Sequence, residues 1–312
     1  MPPRPSTITV MEGTPSTAVI STRALTKHYG SVRALSDLTL DVRQGEIFGF
    51  LGPNGAGKST MIRTILGFLQ PTRGGATVLD MDIVRDSVEI RRLTGYLPGG
   101  IAFYDSLTGE QVLDYLSDMQ GRDPVRRAIL CERLELPASV LRRKVRDYSR
   151  GMRQKLGVIQ ALQHDPELAI LDEPSEGLDP LMQQAFYRIL EDLRTEGRTV
   201  FFSSHVLSEV ERLCDRVAII RDGRLMALHD VHGLLAHRRR RVSLRWRGTA
   251  PTSLPGLEEV QVDGSRLTGM LSGDVSEFVR AVASPSLDDL TIEPASLEEA
   301  FLEYYATEAE PS

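Results

Sequence analysis

The nine residues Gly52–Thr60, GPNGAGKST, place three glycines, a lysine and two hydroxyls at the spacing G-x4-G-K-[ST]. Gly52, Gly55 and Gly57 let the backbone curl until successive N–H groups point at one centre, an arrangement that cradles phosphate oxygens. The helical pattern that follows adds its positive dipole end. Lys58 is expected to reach the β- and γ-phosphates of a nucleoside triphosphate, and the Ser59 hydroxyl to coordinate Mg2+. Pro53, Asn54, Ala56 and Thr60 complete the segment expected to wrap the nucleotide. A second set of groups lies in ELAILDEP, Glu167–Pro174. Four apolar residues make a buried strand whose carboxyl end delivers Asp172 and Glu173, at the edge where α/β sheets place ligands. Asp172 is expected to hold Mg2+ through water, and Glu173 to polarise an attacking water.

Both motifs need a strand before them and a helix behind them. Strand-like runs are read at Val19–Leu25, Leu38–Val42 and Glu46–Leu51, the last passing through the glycine turn into a helix over Ser59–Leu69. Residues 105–165 show helical periodicity without strands. Alternation then resumes with strands at Leu168–Leu171, Thr199–Ser203 and Val217–Arg221 and helices at Leu181–Arg194 and Val206–Cys214. This rhythm predicts an α/β fold: a mostly parallel sheet flanked by helices, with a helical insertion in its middle. The arginines 238–241 read as a solvated linker. Beyond it, strands at Val242–Trp246, Glu259–Val262, Leu267–Leu271 and Leu290–Ile292, an Asp263-Gly264 turn, and helices at Val275–Val282 and Leu297–Tyr305 predict a small α+β domain.

Composition narrows the rest. The chain has 312 residues, 37 Lys+Arg and 43 Asp+Glu, for a formal charge of −6. The acidity is concentrated in residues 242–312, and no broad basic face of a nucleic-acid binder is visible. The longest run without a charged residue is Leu93–Tyr104, shorter than the ~20 apolar residues of a spanning helix. The first 17 residues, rich in Pro, Ser and Thr, lack a signal-peptide core and are expected to form a loose tail. Cys131 and Cys214 stand apart from any metal-ligand spacing and read as inert thiols of a reducing compartment.

What lies between and around the two motifs resembles the ATPase subunits of ABC transporters, of the drug- and antibiotic-exporter type. YSRGMRQKL, Tyr148–Leu156, is similar to the family's signature, with Ser149 and Gly151 kept and Arg150 in place of the first glycine. SEGLDP, Ser175–Pro180, resembles its D-loop and contains Asp179, and His205 stands at the switch-histidine position. Tyr29, in LTKHYG, matches the aromatic residue that stacks on adenine. GYLPGG occupies the position of the Q-loop, with Gly99 where the family carries Gln or Glu. The resemblance covers residues 20–225 in family order, and the ending SLEEAFLEYY is similar to the close of exporter-type members.

The resemblance implies a P-loop NTPase cassette over residues 18–236, with its helical subdomain at about 90–165, and an accessory domain over 242–312. It implies ATP and Mg2+ as ligands and Glu173, His205 and Lys58 as the catalytic set. It also implies a head-to-tail dimer in which Ser149 and Gly151 of one copy complete the site of the other. A separate permease would hold the dimer at the inner face of the membrane, with export of a drug, antibiotic or lipid-like compound as the work done. The alternative is a cytosolic ABC ATPase acting on ribosomes or DNA.

Overall fold

The computed structural model describes residues 18–231, 240–247, 254–272, 274–283 and 287–294. The expected N-terminal tail and the closing helix at Leu297–Tyr305 lie outside them. The chain divides into two compact units, Met1–Leu228 and His229–Ser312.

The first unit opens with an antiparallel sheet. Strands β1 (Ala18–Tyr29) and β2 (Val32–Arg43) form a long hairpin, and β4 (Arg73–Val78) and β5 (Met81–Asp82) extend it in the order β2-β1-β4-β5. Between them in sequence come β3 (Ile47–Leu51) and the helix α1 (Lys58–Ile65). The strand β3 belongs to a second sheet with β6 (Thr94–Leu97), β7 (Leu168–Asp172), β8 (Thr199–Ser204), β9 (Arg216–Arg221) and β10 (Arg224–Asp230), in the order β10-β9-β3-β8-β7-β6. The pairings β3–β8, β3–β9, β7–β8 and β6–β7 are all parallel. Every residue of β3, β7 and β8 is buried, which is why these segments read as unbroken apolar runs rather than as alternating ones.

One core joins the two sheets. Phe201 of β8 stacks on Phe48 of β3 at 5.8 Å and meets Phe50 at 5.4 Å. Met61, Ile62 and Ile65 of α1 close over this layer from their shared helix face, and Leu38, Leu40 and Val42 of β2 complete it. The helix α2 (Ser87–Leu93) leads into β6.

The insertion between β6 and β7 is helical, with α3 (Gly109–Gln120), α4 (Arg127–Arg133), α5 (Ala138–Leu141) and α6 (Arg150–Leu162). Thr108 and Gln111 form a reciprocal capping box at the start of α3. Asp165, just beyond α6, accepts hydrogen bonds from both Arg126 and Arg198, so α4 and the entry to β8 are tied to one carboxylate. The helices α7 (Pro180–Thr195) and α8 (Leu207–Leu213) cover the far side of the sheet. Beneath α8, Cys214 is buried against Gly49, and burial pushes its thiol pKa up.

His164 is 4% exposed, and burial, reinforced by Arg122, lowers its pKa from 6.5 to about 4. The native chain then takes up this proton only near pH 4, whereas the unfolded chain does so near 6.5. Stability is therefore expected to fall as pH drops through that window, by about 3 kcal/mol for this group alone. A His164→Gln chain is expected to show a flatter dependence of Tm on pH between these limits.

Among the described residues, the second unit shows a four-stranded antiparallel sheet and one helix. Its strands are β11 (Arg240–Trp246), β12 (Leu257–Asp263), β13 (Arg266–Leu271) and β14 (Leu287–Pro294), in the order β12-β13-β11-β14. Phe278 and Val282 of α9 (Val275–Val282) pack on Val242, Leu244, Leu267 and Leu271. Arg240 and Arg241, expected in a linker, are the first residues of β11. Their backbones pair with Leu271 and Met270 of β13, so strand pairing overrides the charge run.

Candidate functional site

The carboxyl ends of β3, β7 and β8 meet at one place, and each strand delivers a different kind of group there. After β3 the chain turns so tightly that a Cβ on Gly52 would lie 2.4 Å from the Ile220 carbonyl oxygen. Gly57 has φ +108° and would set a Cβ 2.5 Å from the Ala34 carbonyl oxygen. Only glycine fits either position. Gly57 then caps α1 without a side chain, and the first-turn N–H groups of a helix have no acceptor within the helix. They and the dipole form a seat for an anion.

Lys58 lies inside this turn, 5% exposed. Its ammonium donates to the carbonyl oxygens of Gly52 at 2.7 Å and Pro53 at 3.3 Å, and pairs with Glu173 Oε1 at 3.2 Å. The other oxygen of Glu173 lies 3.5 Å from His205 Nδ1. Lys58 and His205, far apart in the chain, thus meet on the one carboxylate of Glu173. Ser59, Pro53, Asn54 and Gly55 are exposed around them, while Ala56 is buried and Thr60 half-buried.

Asp172 and Glu173 are held by a residue the sequence reading passed over. Ser203, fully buried at the end of β8, donates from its hydroxyl to Asp172 Oδ1 at 2.5 Å. The same hydroxyl oxygen accepts from the Glu173 N–H at 3.1 Å, and the Ser203 carbonyl accepts from it at 3.2 Å. These contacts fix Glu173 in the left-handed region, φ +51°, which a side chain with a Cβ adopts only under constraint. Gly99 comes close to Asp172 as well: a Cβ there would stand 3.3 Å from Asp172 Oδ2. The position is beside the carboxylate, but it brings no side chain.

The remaining expected residues occupy a neighbouring group of loops. Ser149 caps α6, its hydroxyl accepting from the Met152 N–H at 3.2 Å. Asp179 caps α7 by accepting from the N–H groups of Leu181 and Met182. Both side chains thus bond to their own helices rather than to Lys58 or Glu173. Gly151 lies against the Gly177 carbonyl, and Arg150 forms an ion pair with Glu176 across the same contact. The buried Gln154 side chain donates to the Pro174 carbonyl at 2.7 Å, linking α6 to the residue after Glu173. Tyr29, at the end of β1, is 46% exposed, with the Lys27 ammonium 5.3 Å from its ring centroid.

An oxygen donor set of one hydroxyl, Ser59, and one carboxylate, Asp172, suits a hard divalent cation that keeps water and phosphate as its other ligands. Among the described residues no three His, Cys, Asp or Glu side chains converge to cage a metal without such help.

The family model described as ABC transporter matches residues 35–176. The chain is 42% identical over 62% of its length to an uncharacterized ABC transporter ATP-binding protein, sll0415, of Synechocystis, covering 56% of that relative. It is 40% identical over 67% of its length to the bacitracin transport ATP-binding protein BcrA of Bacillus licheniformis, covering 68% of it. A solved ATP-binding subunit of an ABC transporter superposes with a TM-score of 0.65 at 29% identity, over 70% of this chain and 92% of that one.

Proposed function

Because the chain belongs to the ABC transporter family of ATP-binding subunits, and so is an ATPase, we propose that two copies close head to tail around ATP and drive a separate permease. The observation that carries the catalytic assignment is the single carboxylate of Glu173 shared by Lys58 and His205. Lys58 holds the β- and γ-phosphates against the seat at α1, with Gly52, Pro53, Asn54, Gly55, Ala56, Gly57, Ser59 and Thr60 wrapped around them. Tyr29 stacks on the adenine. Ser59, and Asp172 through water, would hold Mg2+, which would supply neutralisation of phosphate charge there.

Without nucleotide, the Glu173 carboxylate is paired with the Lys58 ammonium. Phosphate oxygens that draw Lys58 towards themselves free the carboxylate to orient a water and accept its proton. His205 keeps Glu173 aimed at that water. The P–O bond to the leaving ADP breaks as the water oxygen bonds to phosphorus, and phosphate departs. Ser149 and Gly151, at the start of α6, present a second helix N-terminus to the partner copy's γ-phosphate, and Asp179 borders the same seam. Hydrolysis removes the charge bridge and lets the copies part. Gly99 brings no side chain to Asp172, although its backbone lies beside that carboxylate.

Ser203→Ala is expected to raise the Mg2+ concentration for half-maximal hydrolysis about 10–100-fold, because the hydroxyl orients Asp172 from behind. A Mg2+ titration of phosphate release in the variant and the unaltered chain measures it.

Support for a permease comes from an apolar cleft of about 230 Å³ between the loop after β6 and α3, lined by Leu97, Pro98, Ile101, Phe103, Tyr104 and Tyr115. Tyr104 is 68% and Tyr115 48% exposed at its rim, an apolar surface suited to a partner. No helix among the described residues is long and apolar enough to cross a membrane. The cargo is read as a drug, antibiotic or lipid-like compound, moved outward with the cassette working from the cytoplasmic side; the bacitracin-transport relative supports an antibiotic as cargo. In this proposal residues 18–236 form the cassette, with a helical subdomain at about 90–165, and residues 242–312 form an accessory domain. The last is read as support for the dimer.

Fractionation of native cells followed by detergent pull-down of the tagged chain tests this. Recovery with membranes and one multi-spanning protein is expected, and Ile101→Asp is expected to lose that protein while keeping ATP hydrolysis. Recovery with ribosomes or DNA would overturn the transport reading and leave the ATPase chemistry standing.

A further inference from the structure

Behind the loop that carries His205 lies a buried polar cluster that no step above uses. Glu209 of α8 is 7% exposed. Its Oε1 accepts from the Tyr187 hydroxyl at 2.9 Å, and its Oε2 from the Ser204 hydroxyl at 2.7 Å. The Ser204 hydroxyl oxygen in turn accepts from the Val206 N–H at 2.9 Å. The residues on both sides of His205 are therefore held by one hydroxyl, and that hydroxyl is aimed by one carboxylate. The Ser204 carbonyl also accepts from the Gly52 N–H at 3.3 Å, so the same residue touches the phosphate-binding turn.

A buried carboxylate is an expensive way to fill space, and it persists where its hydrogen bonds fix a geometry. Here one bond comes from Ser204, the residue before His205 at the end of β8, and the other from Tyr187 of α7. Tyr187 is itself clamped, with the Arg212 guanidinium 5.1 Å from its ring centroid. Burial, and then the neighbouring Glu209, raise the Tyr187 pKa, which keeps the phenol a donor.

From this geometry we infer that Glu209 is a positioning residue for His205: through Ser204 it fixes the turn Ser204–Val206 so that the imidazole meets Glu173. The inference rests on the catalytic reading of His205 and Glu173 given above. His205 is 45% exposed and has no described hydrogen bond of its own beyond the approach to Glu173 at 3.5 Å. Its aim must come from its backbone neighbours.

The test is single-turnover phosphate release by full-length chains carrying Glu209→Ala, His205→Ala or both, with ATP binding measured alongside. Glu209→Ala is expected to slow release about tenfold in the unaltered background, with ATP affinity kept. In the His205→Ala background it is expected to cost less than about twofold, because the group it positions is gone. Glu209→Gln, which still accepts at its carbonyl oxygen, is expected to recover part of the rate. Equal losses in both backgrounds would overturn the inference, since Glu209 would then act elsewhere. A His205→Ala chain that turned over like the unaltered one would instead remove the catalytic role of His205, and the inference with it. If Glu209→Ala does not fold, Tyr187→Phe and Ser204→Ala enter the same cycle. Non-additivity with His205→Ala supports the inference and additivity overturns it.

Discussion

Glu173→Gln chains are expected to bind ATP, to accumulate as closed dimers and to release phosphate about a hundredfold or more slowly than the unaltered chain. The substitution preserves the shape of the side chain and leaves both bonds from the Glu173 N–H to Ser203 in place. What it removes is the negative charge that can accept a proton from water. It also removes the charge that holds Lys58 at 3.2 Å in the absence of nucleotide, so the lysine is released to the phosphates and binding does not weaken. The expected signature is therefore a split: tighter or equal ATP binding, a doubled mass in light scattering with ATP, and little turnover. A Glu173→Gln chain with unaltered turnover would take Glu173 out of the chemistry.

Lys58→Ala is expected to have the opposite signature, with nucleotide binding and hydrolysis both falling, the latter about 10²–10³-fold. Lys58 is nearly inaccessible, and its three partners, the carbonyls of Gly52 and Pro53 and the Glu173 carboxylate, all surround the anion seat. Alanine leaves those acceptors facing one another across the space a phosphate must enter, so the site changes from attracting an anion to repelling it. Lys58→Arg is not expected to rescue, because a planar fork replaces a compact ammonium inside a turn sized for the latter. Isothermal titration with ATP and a phosphate-release assay check both quantities. Full activity in Lys58→Ala would contradict the phosphate-cradle assignment.

Much of this site was legible in the sequence because its residues sit at chain positions where backbone geometry leaves little choice. The turn after β3 demands glycine at Gly52 and Gly57, and β7 ends in two adjacent carboxylates after an unbroken apolar run. The helix α1 was read as longer than it is: it ends at Ile65, and Gly67 at φ +69° carries Leu69 off the face that Met61 and Ile62 share. The strands β4, β5, β6 and β10 were missed. Their sequences, RGGATV, MD, TGYL and RLMALHD, are short, glycine-bearing or half-exposed, and they exist because a neighbouring strand offers an edge.

The supporting residues were missed for a different reason. Ser203 and Ser204 close the strand FFSS as two small polar groups that are unremarkable in sequence, and their partners lie one strand or one helix away. A signal was present: two hydroxyls end a strand whose other residues are buried, so each must find a partner, Asp172 for Ser203 and Glu209 for Ser204. Periodicity could not say with whom they pair.

Each catalytic site is assembled from two chains in this proposal, and a mixing experiment tests that assembly most directly. A Lys58→Ala chain keeps its signature but has no working phosphate seat, and a Ser149→Arg chain keeps the seat but has no working signature. Each alone is expected to be inactive. In a head-to-tail pair of the two, one site combines both defects and the other combines both intact halves. The account predicts that phosphate release returns when the two inactive proteins are mixed. Release that stays at the background of the separate proteins would contradict it.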